Sequence, residues 1–315
     1  MQYTNKGNKA GKTGFGEGLK LIAEKNDKIV ALGADITSSV GMNIFADKFP
    51  DRFFSFGIAE QNIAAASAGL ALGGKIPFFS TYAVFAAHRA ADQIRISICY
   101  NNLPVKIGGA HAGISVGEDG ATHQALEDIA LMRSLPEMTV ISPCDANQVT
   151  QAVIASVEQV EGPCYIRFGR EAMPNFTNID DEFTIGKGQI LKKGDDVSII
   201  ATGHMVWESL EAAKILSKKG INAEVINIHT IKPIDKELLI ATAKKTNKVI
   251  TVEEHQITGG LGSAVAEILS SEYPCKIKMI GINNHFGESG KASDLMKKYG
   301  LTAENIAFET EKFTH

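Results

Sequence analysis

Three short stretches of this 315-residue chain carry more reactive side chains than packing needs. In FGIAEQN (56–62), Glu60 stands where an apolar strand-like run meets a helix of alanine, glycine and isoleucine, a junction expected to be buried. A carboxylate buried without a partner tends to take up a proton. Glu60 is therefore either a first-turn glutamate facing the helix dipole or a tuned acid that hydrogen-bonds a heterocycle nitrogen. AHAGISVGEDGATHQ (110–124) gathers two histidines, adjacent carboxylates and several glycines. His111 and His123 stand 12 apart, a spacing that pairs them on neither a helix nor a strand, and no third ligand accompanies them as a metal site requires. The stretch reads either as a loop that positions a ligand on a rigid frame or as a solvated surface loop. In YIRFGRE (165–171), Arg167 and Arg170 finish a strand. Arginine there suits bidentate phosphate binding at the strand ends where open α/β sheets collect ligands, and it also serves solubility.

Such residues need a frame, and short β-branched runs alternating with helical patterns supply one. FGEGLKLIAEKND (15–27) is helical and leads into KIVALGAD (28–35); FFSFGIAE (53–60) feeds the helix QNIAAASAGLALGG. IPFFST (76–81) precedes a helix running through Ile94, PVKIGGA (104–110) opens the glycine-rich loop, and MTVISP, a helix over Ala146–Val157 and PCYIRFGRE follow. This alternation predicts an α/β fold with a mainly parallel sheet. EAMPNFTNIDDEFTIGKGQI (171–190) breaks the rhythm with Pro, Asn and acidic residues. The expected organisation is a first domain at 1–172, a linker at 173–190 and a smaller α/β domain at 191–315. In the latter, DVSIIATG precedes a helix with Val206, Leu210, Ala213 and Leu216 on one face, and AEVINIHTIKPID, KVITVEEH and KIKMIGI give three further strands.

Bulk properties narrow the function. A charge of −4 and a pI near 6.1 argue against nucleic acid as a partner. No run of 18 apolar residues argues for a membrane span, and the polar, glycine-rich first fifteen residues predict no secretory signal. Cys99, Cys144, Cys164 and Cys275 are scattered without CxxC or metal-ligand spacing, as expected of thiols in a reducing, cytoplasmic setting. GFGEG (14–18) precedes its strand and GGLGSA (259–264) lacks a third glycine, so neither is a dinucleotide fingerprint. Close backbone packing at a helix start explains GGLGSA.

Together the segments resemble the transketolase family, over nearly the whole chain from Gly14 onward. FGIAEQN is similar to the strand-to-helix motif that carries the family's catalytic glutamate. GEDGATHQ followed by SLPEMTVISPCDANQV is similar to its most distinctive stretch. GREAMP, HTIKPID, EEHQITGGLGSAVAE and FGESGKASDLMKKYGL match later segments. The resemblance implies a pyrimidine-binding domain followed by a transketolase C-terminal domain, with thiamine diphosphate as cofactor. It implies that Glu60 hydrogen-bonds the aminopyrimidine ring nitrogen and thereby activates the cofactor. Asp35 then borders cofactor and donor sugar, and Tyr82 and Phe85 flank the aminopyrimidine. His111 and His123 become catalytic, substrate-contacting histidines, Asp119 contacts a sugar hydroxyl, and Ser39 and Arg170 hold phosphate. Two positions depart from the family pattern: Lys12-Thr13 stands where a Thr-Arg pair is usual, and His88 stands at the third aromatic of the pocket.

The family's GDG-and-Asn motif, which binds magnesium and diphosphate, has no match in the chain. A second subunit carrying that motif and the Mg²⁺ is therefore expected, with the two chains forming a heterotetramer that acts on sugar phosphates. The rival readings are a subunit like 1-deoxyxylulose-5-phosphate synthase or a 2-oxoacid dehydrogenase beta subunit, and a non-catalytic assembly subunit. The loop with its two histidines favours a sugar phosphate over a 2-oxoacid. Retention of Glu60, Asp119, both histidines and Arg170 speaks against a non-catalytic role.

Overall fold

The computed structural model describes residues 3–314. Its first strands are β1 (Asn8–Ala10), β2 (Ile29–Gly33), β3 (Phe53–Ser55), β4 (Ile76–Tyr82), β5 (Lys106–Ala110), β6 (Thr139–Ile141), β7 (Cys164–Arg167) and β8 (Ala172–Pro174). They are followed by β9 (Gln189–Lys192), β10 (Val197–Ala201), β11 (Ala223–Asn227), β12 (Thr230–Lys232), β13 (Lys248–Gln256) and β14 (Lys276–Ile282). Seven of them form one sheet in the order β12-β6-β7-β5-β4-β2-β3, parallel throughout except for β12. Five form a second sheet, β14-β13-β10-β11-β9, in which only β9 is antiparallel. The expected α/β architecture with mainly parallel sheets is what the chain adopts.

Apolar side chains on both faces of the strands explain why these sheets are parallel and covered on both sides. In the first sheet, Phe78, Ile141 and Ile166 face the helices Gly11–Lys25 and Ala146–Glu158, packing on Phe15, Leu19, Val149 and Val153. Their sequence neighbours Phe79, Val140 and Tyr165 point the other way, onto Ile63, Ala68, Ile94 and Ile98, as the strand period of two requires. Each fully buried side chain of this size contributes about 1.5–3 kcal/mol. The two helices on the first face touch closely because Gly14 has no side chain: a Cβ there would lie 2.1 Å from the Ala146 carbonyl oxygen. In the second sheet, Val206, Leu210, Ala213 and Leu216 of the helix Met205–Ser217 are all buried against Ile199, Val225 and Ile250, as their spacing predicts.

Three local features differ from the sequence reading. The first helix begins at Gly11 rather than Phe15, directly after β1, which pairs antiparallel with β8. AEVINIHTIKPID makes two strands, not one: β11 stays in the second sheet, and β12 crosses to pair with β6, otherwise an edge of the first sheet. An edge strand's unpaired backbone groups give that crossing its driving force. The helix after β4 is wound irregularly, with i→i+5 bonds from Ala90 N to Phe85 O and from Tyr100 N to Arg95 O. GGLGSA behaves as expected: the helix Leu261–Glu272 starts there, and a Cβ on Gly262 would lie 2.7 Å from Thr251 Oγ1. No helix among the described residues is long and apolar enough to cross a membrane.

Candidate active site

The residues singled out in the sequence follow the carboxyl ends of the parallel strands β2, β3, β4, β5 and β7, so the fold gathers them along one end of the first sheet. That is the end where open α/β sheets bind ligands.

Glu60 is the first residue of the helix Glu60–Leu72 and is 2% exposed. Its expected burial is real, but it is not partnerless. Oε1 accepts a hydrogen bond from Thr81 Oγ1 at 3.2 Å, and Oε2 accepts one from Arg89 Nη1 at 2.8 Å. Arg89 also lies over the Phe85 ring, 4.2 Å from its centroid, a cation–π distance. Neither Thr81 nor Arg89 stands out in the sequence reading. For Thr81 the signal was there in STYAVFAAHR, since Thr81 alternates with Tyr82 along β4; for Arg89 it was not, since an arginine in a helical pattern looks like any solvated residue.

The aromatic and imidazole rings form a second group. Tyr82 and Phe85 stack at 5.9 Å with 29° between their planes. Tyr82 lies 4.3 Å from the His111 ring and 5.9 Å from that of His123, and Phe85 lies 5.3 Å from His123. The Tyr82 hydroxyl and Ser39 Oγ are 3.0 Å apart. Ser39, the Tyr82–Phe85 pair, His111 and His123, from four separate parts of the sequence, thus share one cluster.

His111 follows β5 with φ +52° and is 5% exposed, and its Nδ1 has no hydrogen-bond partner among the described residues. Burial, reinforced by the nearby charges of Arg170 and Lys12, pushes its pKa down to about 4. The imidazole is therefore neutral at physiological pH: it can exchange hydrogen bonds with a ligand but adds no positive charge. A buried nitrogen without a partner, beside stacked aromatic rings, is an atom that awaits a ligand. His123 is half-buried and its Nδ1 lies 2.9 Å from Thr122 Oγ1.

Arg170 and Asp119 face each other at 3.5 Å, both about a third exposed, and Arg170 Nη1 donates to the Val116 carbonyl at 2.7 Å. Asp35 stands exposed past the end of β2 with φ +64° and makes no side-chain hydrogen bond among the described residues. The register Gly33–Ser80 between β2 and β4 carries it to the same end of the sheet as Tyr82. Arg167 departs from the phosphate-binding expectation. It is buried, its Nε donates to Asp128 at 2.9 Å, and its Nη2 donates to the carbonyls of Ala125 and Glu254. Its charge is neutralised inside the fold. Lys12, which occupies a departure from the family pattern, lies close enough for its charge to act on His111.

Residues 8–175 match the family described as "Transketolase, pyrimidine binding domain", and residues 186–306 match "Transketolase, C-terminal domain". The putative transketolase C-terminal section of Methanocaldococcus jannaschii is 48% identical over 297 residues, covering 93% of each chain. A 6-deoxy-6-sulfo-D-fructose transketolase subunit of Clostridium sp. (strain MSTE9) is 41% identical over 296 residues, 94% of this chain and 92% of that one. A solved structure described as a split gene transketolase, inactive beta4 tetramer, superimposes with a TM-score of 0.91 at 49% identity, covering 97% of this chain and 98% of that one. With both domain families matched in order and these relatives aligned almost end to end, the chain belongs to the transketolase family.

Proposed function

We propose that this chain is one subunit of a split transketolase, which moves a two-carbon ketol unit from a ketose phosphate to an aldose phosphate with thiamine diphosphate. The observation that carries this reading is the pairing of buried Glu60 with a stacked Tyr82–Phe85 pair and the unpartnered Nδ1 of His111 at one sheet end. A carboxylate, aromatic faces and a free imidazole nitrogen are what a flat aminopyrimidine and a sugar need.

In this reading residues 1–172 form the pyrimidine-binding domain, 173–190 the linker and 191–315 the C-terminal domain. When bound, thiamine diphosphate supplies the electron sink for breaking and remaking the ketose carbon–carbon bond. The chain's own residues do the rest. Glu60 holds a hydrogen bond to the aminopyrimidine ring nitrogen, and Tyr82 and Phe85 flank the ring and exclude water. Asp35 borders cofactor and donor sugar. Neutral His111, with His123, contacts the reacting end of the sugar, Asp119 takes a hydroxyl beside it, and Ser39 and Arg170 hold the phosphate.

The diphosphate needs a cation or a helix-terminus nest, and the chain has no stretch similar to the family's GDG-and-Asn motif. We assign the diphosphate and Mg²⁺ to a partner subunit, in a heterotetramer with the cofactor at subunit joints. The activity proposed is sugar phosphate interconversion of the pentose phosphate type, and a reducing, cytoplasmic setting fits the four free cysteines. The two relatives both bear transketolase names, and neither they nor the site favour the synthase-like, 2-oxoacid dehydrogenase or non-catalytic readings.

The test is Glu60→Gln in the assembled enzyme. Turnover should fall about 10²–10⁴-fold, the usual contribution of a positioned proton-transfer group, with fold and assembly preserved and only the modest loss of stability that weakening the Arg89 pair entails. Undiminished turnover would remove Glu60 from the mechanism.

A further inference from the structure

The loop at 111–124 follows the first sheet, yet the second sheet and its flanking segments build its far side. Ile114 and Leu126 lie in the second sheet's core with Ile199, Val225 and Ile282. Gln124 Nε2 donates to the Glu288 carbonyl at 2.9 Å, and Gln256 N donates to the Leu126 carbonyl at 2.8 Å. Glycines permit the approach: a Cβ on Gly120 would lie 2.5 Å from Ser289 Oγ, and one on Gly113 would lie 2.2 Å from the Glu254 carboxyl carbon.

Glu254, on β13, is at the centre of this seam. Its side chain is 2% exposed, and Oε1 accepts the Ser115 backbone N–H at 2.5 Å. The other oxygen faces His204 Nδ1 at 3.1 Å. A buried carboxylate on a backbone N–H forms a charge-assisted bond, about twice as strong as a neutral one. The anchored amide lies between two groups of the proposed substrate site. Four residues earlier is His111 in its left-handed conformation, and one residue later Val116 offers the carbonyl that holds Arg170.

We propose that Glu254 is a positioning residue, supplied from the second sheet, which fixes the 111–124 loop so that His111 and Arg170 meet the sugar phosphate. His204 Nδ1 stands beside the other carboxylate oxygen, which has no hydrogen-bond partner among the described residues. The second sheet thereby takes part in substrate recognition without touching substrate. This inference rests on the reading of 111–124 as the substrate loop, and its test separates the two.

The first measurement is hydrogen–deuterium exchange on the purified chain, which needs neither partner nor cofactor. Glu254→Ala should speed exchange across 111–124 about tenfold or more while β5 and β7 stay protected. Glu254→Gln, which keeps an oxygen for the Ser115 N–H, should restore protection to within a few-fold of wild type. The second is kinetics of the assembled enzyme. Glu254→Ala should raise KM for a phosphorylated donor about tenfold, impair a small unphosphorylated donor several-fold less, through His111 alone, and give less than an additive loss when combined with Arg170→Ala. Unchanged loop exchange, an equal loss for both donors, or strict additivity with Arg170→Ala would overturn the proposal. Should Glu254→Ala fail to fold, Glu254→Leu, which keeps the side-chain volume but lacks the acceptor for Ser115 N–H, makes the same exchange test. Faster loop exchange then supports the proposal and unchanged exchange overturns it. A wild-type assembly without transketolase activity would count against the proposed function and leave the exchange result to decide this inference.

Discussion

Arg89 touches both halves of the site, since its guanidinium bonds Glu60 and covers one face of Phe85. Removing it strips a buried carboxylate of a charged partner, which costs about 1.5–3 kcal/mol for a hydrogen bond to a charge. Arg89 is 43% exposed, so water screens part of this, and Arg89→Ala should lower stability by about 1–2 kcal/mol in urea titrations. A change below about 0.5 kcal/mol would mean that the pair does not stabilise the fold. Arg170 makes a different prediction. It already faces Asp119 and holds the Val116 carbonyl, and it is about a third exposed. Arg170→Ala should therefore weaken use of phosphorylated donors by roughly 10–100-fold, towards the lower end, and leave unphosphorylated donors nearly untouched. Equal losses would make Arg170 a structural residue. His111 takes no share in that charge recognition, because its own pKa near 4 keeps it neutral.

β5 shows how an element serves the site through what it lacks. Gly108 and Gly109 stand in the strand that delivers His111, and a Cβ on Gly109 would lie 2.2 Å from the Tyr165 hydroxyl. That hydroxyl donates to Asp128 at 2.8 Å within the buried Arg167–Asp128 network. Gly109→Ala should overpack the strand and displace Tyr165, costing about 2–4 kcal/mol. A variant that unfolds at the wild-type urea midpoint would show that the strand has slack. Such elements were largely legible in the sequence, because β2, β4, β5 and β7 carry mostly apolar or small residues on both faces, Lys106 and Arg167 at strand ends apart, and the long helices have strong periodicity. Glu60 and the loop at 110–124 were legible because charge and glycine concentrate where packing does not need them. Arg89 was not: one arginine in a helical pattern looks like any solvated residue, and its aim depends on the irregular winding from Phe85 to Arg89. Nor could spacing reveal the contact between Glu254 and Ser115, which joins residues far apart in the chain. The crossing of β12 to the first sheet was hidden for the same reason.

At the scale of the molecule, burial of ionisable groups sets how stability responds to acid. His111, His229 and His255 are each pushed down from 6.5 to about 4, chiefly by burial. A depressed histidine leaves the folded state neutral while the unfolded chain takes up a proton, so stability is full above about pH 6.5 and falls as pH drops towards 4. Glu253 is pushed up from 4.5 to about 8 by burial, and its contribution runs the other way, lost as pH rises through 8. Between pH 4.5 and 6.5, unfolding takes up three protons on these histidines and releases one from Glu253, a net uptake of about two. These four groups should then reduce stability by about 2–3 kcal/mol for each pH unit lowered. Melting temperature should drop steadily from about pH 6.5 to pH 5, and a flat profile would contradict this assignment. On the proposed function, this chain holds only the aminopyrimidine half of a thiamine diphosphate site. The decisive measurement is isothermal titration of thiamine diphosphate with Mg²⁺ into the chain, alone and then with the proposed partner subunit. Ring stacking and one glutamate hydrogen bond supply about 2–4 kcal/mol, so the chain alone should bind no tighter than about millimolar, and the assembled subunits should bind in the micromolar range. Micromolar binding by the chain alone would contradict the claim and place a complete cofactor site within it.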